Sequence, residues 1–127
     1  MAEKGSLILL LEPDEAVRAA LASLLRQHGW QIEARSEAGG LAQDLASLAP
    51  MVLVAESNLP DMAAAELLDL CKAARIPVIF LGHRRAIQDA VDLMRRGATD
   101  FLEKPFPQKR LLEVLEGLRP RAAQVQG

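Results

Sequence analysis

Four short stretches of this 127-residue chain hold the side chains with the most chemical potential. They are Glu12-Pro13-Asp14, Glu56-Ser57-Asn58, Gly82-His83-Arg84-Arg85 and Lys104-Pro105-Phe106. Carboxylates beside a lysine suit chemistry that works by charge neutralisation and positioning. They do not suit nucleophile–base catalysis: Ser57 adjoins Glu56 but has no histidine placed to activate it. Two histidines and one cysteine, without metal-ligand spacing, do not make a zinc site. His28 reads as a charge partner for a helix C-terminus, and Cys71 as part of an apolar helix face. The run His83-Arg84-Arg85 places cationic side chains where a helix begins, and free N–H groups there attract anions. It is read as a solvated loop, with a phosphate-bearing ligand or an acidic partner surface as the alternative. No enzymatic activity is expected.

Two kinds of segment must position these residues. Leu7–Leu11, Met51–Ala55 and Val78–Leu81 are short continuous apolar runs, as in strands buried on both faces of a parallel sheet. Gln31–Arg35 and Asp100–Glu103 are weaker strand candidates. Between them lie segments of helical period. Asp14–His28 puts Val17, Leu21, Leu24 and Leu25 on one stripe, with Asp14 as N-cap and Gly29 past the C-terminus. Ser36 is placed to cap a second helix carrying Leu41, Leu45 and Leu48, its first turn weakened by Gly39 and Gly40. Ala63–Ala74 forms a third, with Leu67, Leu70 and Cys71 inward. Ala86–Arg96 forms a fourth, with Ile87, Ala90, Val91 and Met94 inward, and Gly97 ends it. Pro107 opens a fifth bearing Leu111, Val114, Leu115 and Leu118.

Strand and helix thus alternate five times, which predicts an α/β fold with a parallel sheet covered on both faces. Right-handed crossovers leave few topologies. The functional crevice of such a sheet lies beyond the carboxyl ends of its strands. All four reactive stretches fall there, so the fold should gather them.

The bulk numbers agree with one soluble domain. The length suffices for a core without staples, and half the residues are apolar. Trp30, three Phe and no Tyr leave the core to Leu, Val, Ile and Ala. Fifteen basic and 17 acidic residues give a net charge of −2, which argues against nucleic-acid binding by this domain alone. A single cysteine fits a reducing, cytoplasmic setting. No apolar run approaches the length of a membrane span, and Met1–Gly5 lacks a signal-peptide core.

Four segments together resemble the receiver domains of response regulators in two-component signalling. They are Leu-Leu-Glu-Pro-Asp-Glu-Ala-Val-Arg (10–18), Asn-Leu-Pro-Asp-Met (58–62), Ile-Pro-Val-Ile-Phe-Leu (76–81) and Gly-Ala-Thr-Asp-Phe-Leu-Glu-Lys-Pro-Phe (97–106). The similarity is collinear and nearly spans the chain. It implies a flavodoxin-like (βα)5 doubly wound sandwich over residues 1–120, with 121–127 a polar tail or the start of a linker. In that family two acidic residues after the first strand and an aspartate after the third bind Mg²⁺. The aspartate takes a phosphoryl group from a kinase phosphohistidine, and a Thr or Ser and a Lys hold the phosphoryl oxygens.

Here Glu12 falls on the first acidic position and Pro13, with no side-chain oxygen, on the second. Glu56 falls on the phospho-acceptor, one methylene too long. Gly82 falls on the hydroxyl position, Phe101 on the aromatic whose rotamer reports activation, and Pro105 on a cis-proline candidate. Lys104 is retained. Glu12, Asp14 and Glu56 make up the acidic pocket. Glu12, Glu56 and the Asn58 carbonyl are left as weak Mg²⁺ ligands, with Asp14 capping its helix. Mg²⁺ demands near-octahedral oxygen coordination, so a tight preformed site is not expected.

The longer carboxylate of Glu56 lies roughly 1.5 Å too far along its chain direction, and about 1 Å of misplacement can cost 10²-fold in rate. The resemblance with these departures implies a degenerate receiver acting as a regulatory protein-interaction module. Glu56 is expected to reach Lys104 as an ion pair, with a fixed phospho-mimic as the alternative. Two functional alternatives stay open: a residual phosphorelay acceptor, and an anion or nucleotide sensor using Arg84 and Arg85. The expected partners are a kinase, an output domain of a longer regulator, and a second copy. The second copy would meet the face of the fourth helix, fifth strand and fifth helix, which carries Asp92, Arg95, Arg96, Asp100, Lys109, Arg110 and Glu113.

Overall fold

The computed structural model describes residues 6–83 and 87–119. Strands and helices alternate as β1 (Leu7–Leu11), α1 (Glu15–Gln27), β2 (Gln31–Arg35), α2 (Leu41–Leu48), β3 (Val52–Glu56), α3 (Ala64–Ala73), β4 (Val78–His83), α4 (Ile87–Arg95), β5 (Asp100–Lys104) and α5 (Gln108–Leu118). The five strands form one parallel sheet in the order β2-β1-β3-β4-β5. This is the predicted doubly wound sandwich. The order reverses beside β1, so the ends of β1 and β3 are adjacent and define the crevice.

Alternation along the central strands divides the core in two. Leu9, Leu11, Leu53, Ala55 and Phe80 face α2, α3 and α4, where they meet Leu41, Leu45, Leu67, Cys71 and Leu93. Ile8, Leu10, Val52, Val54, Ile79 and Leu81 face α1 and α5, where they meet Leu21, Leu25, Leu111 and Leu115. Both faces of β1 and β3 are apolar because both are covered. Cys71 is fully buried, and that burial pushes its thiol pKa up to about 12.

Asp14 caps α1 as expected: its Oδ1 accepts from the Val17 amide at 3.0 Å. Gly29 follows the helix with φ +87°, and His28 Nδ1 lies 3.0 Å from the Leu24 carbonyl. Removing the cap with Asp14→Ala should lower stability by about 1 kcal/mol, read from chemical denaturation midpoints. The Arg119 guanidinium lies 3.8 Å over the ring of buried Trp30, tying the end of α5 to the start of β2.

Several local expectations are corrected. Ser36 does not cap α2. The helix starts at Leu41 with Gly40 as N-cap at φ +78°, because the two glycines form a turn that takes the chain out of helical geometry. That entry is held from elsewhere, by Asp61 Oδ1 accepting from the Ala38 amide at 2.9 Å. Pro107 is the N-cap of α5 rather than its first turn.

On α4, Val91 and Met94 face outward, 45% and 43% exposed, while Leu93 is buried at 3% and Ala90 half-buried. α4 lies against α3 and β5 along a narrow line, and Lys72 Nζ donates to the Arg96 carbonyl at 2.7 Å, holding its end to α3. Gly97 closes the helix at φ +108°. Ala86, the Ile87 side chain and 121–127 lie outside the described residues.

Candidate functional site

The two buried acidic residues of the crevice stand at the ends of buried strands. Glu12 follows β1, where its amide still donates to the Arg35 carbonyl at 3.0 Å, and Glu56 is the last residue of β3. They are 2% and 5% exposed. Buried carboxylates at this depth require partners. Lys104, the last residue of β5, supplies one to both: its Nζ donates to Glu12 Oε1 at 2.5 Å and to Glu56 Oε1 at 2.6 Å.

The remaining oxygens are also engaged. Glu12 Oε2 accepts from the Asp14 amide at 3.1 Å. Glu56 Oε2 accepts from the Asn58 amide at 3.1 Å and from the Ser57 hydroxyl at 3.4 Å. Four carboxylate oxygens thus meet protein donors. No buried side-chain N or O atom lacks a partner among the described residues.

The three groups carry a net charge of −1. Burial disfavours the Lys104 ammonium, but the hydrogen bonds and charges of Glu12 and Glu56 outweigh it, so the Lys104 pKa stands above the ordinary 10.5. The pair expected between Glu56 and Lys104 is therefore present, and Glu12 makes it a bridge of three.

The structure gathers most of the predicted site. Glu12, Pro13, Asp14, Glu56, Asn58, His83 and Lys104 line one open crevice of about 250 Å³. Pro13 is exposed at its rim and offers no side-chain oxygen. Asp14 lines the crevice, but its carboxylate is turned to the α1 cap. Gly82 lies inside β4, one residue before its end, rather than after it. Phe101, on the neighbouring strand, packs half-buried into the core. The peptide bond between Lys104 and Pro105 is cis. Arg84 and Arg85 lie outside the described residues.

The carboxylate oxygens that a divalent cation would take are engaged within the chain. Both carboxylates already share one ammonium, and their other oxygens accept from the chain. Among the described residues, no group of three or more His, Cys, Asp or Glu is placed to hold a metal.

Two contributors escaped sequence reasoning. Arg18 Nη1 donates to the Glu12 carbonyl at 2.8 Å and so fixes the turn after β1. Ser57 supplies its hydroxyl to Glu56. Arg18 sits six residues from its partner, so only the α1 packing brings the two together.

Residues 8–116 match the family model for the response regulator receiver domain. Response regulator protein TodT of Pseudomonas putida is 32% identical over 126 residues, covering 98% of this chain and 56% of that protein. Response regulator protein FleR of Pseudomonas aeruginosa is 34% identical over 110 residues, covering 85% of this chain and 23% of that protein. The chain thus spans about half of TodT and under a quarter of FleR. Full-length FixJ from B. japonicum superposes with a TM-score of 0.83 at 29% identity, over 92% of this chain and 58% of that one. A receiver domain protein from Clostridium thermocellum gives 0.84 at 19% identity, over 94% and 98%, a likeness of fold alone.

Proposed function

Because this chain belongs to the response regulator receiver domain family yet carries Glu56 and Pro13 in its crevice and Gly82 in the adjoining β4, we propose that it is a degenerate receiver. It acts as a regulatory interaction module in two-component signalling and takes no phosphoryl group. One observation carries this reading. Lys104, a cation that would neutralise an incoming phosphoryl group, is already clamped between two buried carboxylates. Glu56 is correspondingly held away from attack, since its Oε1 accepts from Lys104 and its Oε2 from Asn58 and Ser57. Glu56 serves here as a structural ion-pair partner.

Incubation with acetyl phosphate or phosphoramidate and Mg²⁺, followed by intact mass measurement, tests the proposal. The expected result is an unchanged mass; a stoichiometric phosphoryl adduct would restore the phosphorelay alternative.

The partners fitting this reading are a kinase, an output domain and a second copy of the chain. The surface offered is the α4, β5 and α5 face. Outward Val91 and Met94 give it an apolar centre. Four of the charges offered for pairing across a two-fold axis are paired within the chain: Asp92 with Arg96 at 2.9 Å and Asp100 with Arg110 at 2.8 Å. Arg95, Lys109 and Glu113 remain around that centre as its charged rim. No helix among the described residues is long and apolar enough to cross a membrane. A cytoplasmic setting fits the free, buried thiol of Cys71.

A further inference from the structure

Gly82 is buried within β4, paired opposite Glu103 of β5, and the space beside its Cα is already taken. A Cβ at this position would lie 2.4 Å from Phe101 Cζ, 3.0 Å from Phe101 Cε1 and 2.8 Å from Ser57 Oγ. Carbon atoms in contact sit about 3.5–4.0 Å apart, so even a methyl group there is incompatible with the ring where it lies. Nor is a positive φ the reason for this glycine, since Gly82 is an ordinary strand residue. Its role is to leave room.

The ring is not held there by default. Phe101 belongs to the edge strand β5, and a ring on an edge strand has solvent as an alternative. A side chain at position 82 would compete with the ring for the space it now fills. With glycine, ring departure uncovers the space beside Gly82 and Ser57, and the ring's contacts there are lost with nothing to replace them. We propose that Gly82 is the socket for a fixed aromatic wedge. Phe101 is seated against β4 in a single position, and the β4–β5 surface is presented in one conformation whatever charge stands at Glu56. This deepens the reading of the domain as an interaction module without phosphorylation: its partner surface is always in the same state.

Selective ¹³C labelling of the three phenylalanines, with Phe101 assigned through Phe101→Leu, reads the ring directly by NMR. The expected result is one set of Phe101 signals, protected from a soluble paramagnetic relaxation agent and unmoved in Glu56→Gln. In Gly82→Ala the signals should shift and lose that protection as the ring is expelled. A second Phe101 population in the native protein, movement in Glu56→Gln, or a ring still protected in Gly82→Ala would each overturn the proposal.

If Gly82→Ala does not fold, the double variant Gly82→Ala with Phe101→Ala decides. It should fold and melt above the single variant, since the obstructing ring is gone; no recovery would refute the socket. Treating the labelled protein with acetyl phosphate and Mg²⁺ separates this inference from the reading it rests on. A phosphoryl adduct with unmoved Phe101 signals would refute only the absence of phosphorylation.

Discussion

Lys104→Met will destabilise the domain by about 3–5 kcal/mol, because it strands two buried carboxylates. Glu12 and Glu56 are 2% and 5% exposed, and their Oε1 atoms both point at the position Nζ would vacate. Without the ammonium, two like charges face each other out of water. Against a total stability of about 5–15 kcal/mol for a domain, the loss is large enough to read in any denaturant titration.

Glu56→Gln should cost less, about 1–3 kcal/mol, since Lys104 keeps Glu12 and the amide oxygen can still accept. Equal losses for the two variants would mean that the remaining Glu12–Lys104 pair contributes no stability of its own. The pH dependence has a definite sign. The folded state raises the Lys104 pKa above the ordinary 10.5, so the native state holds this proton more tightly than the unfolded chain does. The stabilisation is whole below 10.5 and fades as pH rises past it through the folded value. Native protein should therefore lose stability in strong alkali through this group. Lys104→Met should lack that component, which parallel denaturant titrations from neutral to alkaline pH would reveal.

The second large effect is a gain. Pro13→Asp combined with Glu56→Asp should raise the yield of acyl phosphate from acetyl phosphate by at least about 100-fold in the presence of Mg²⁺. Shortening residue 56 by one methylene withdraws its carboxylate by roughly 1.5 Å from Lys104. A carboxylate at 13, on the rim of the same crevice, adds the oxygen ligand that proline cannot provide. Magnesium should also raise the melting temperature of this variant and leave that of the native chain unmoved. Intact mass measured side by side reads both proteins in one experiment. An adduct on the native chain at the same rate would remove the ground for calling the crevice degenerate. No adduct on the double variant would show that residues 13 and 56 are not the whole block, and adding Gly82→Thr would then test the missing hydroxyl.

The architecture was legible because it follows from patterns local to the chain. Continuous apolar runs such as Leu7–Leu11 announce strands covered twice, and Asp14 and Gly29 bracket α1 by capping chemistry that acts within a few residues. The gathering of Glu12, Glu56 and Lys104 also followed, since strand ends of a parallel sheet share one edge. What escaped was decided by tertiary contact. Helical period alone made Val91 and Met94 look inward, but α4 rests on a narrow line through Leu93, a fact of how α3 and β5 present themselves. Asp61 reads as part of a turn, yet it holds the entry to α2 from 23 residues away. Glu12 as the second partner of Lys104 was likewise invisible, because β1 and β5 are separated by two strands in the sheet and only the side-chain lengths close the gap.

The Arg119–Trp30 contact gives the molecule a built-in optical gauge. Trp30 is its one tryptophan, and a guanidinium stacked on a buried indole alters that indole's surroundings only while the end of α5 is seated. Intrinsic emission from this chain therefore includes a report on the joint where α5 meets the start of β2.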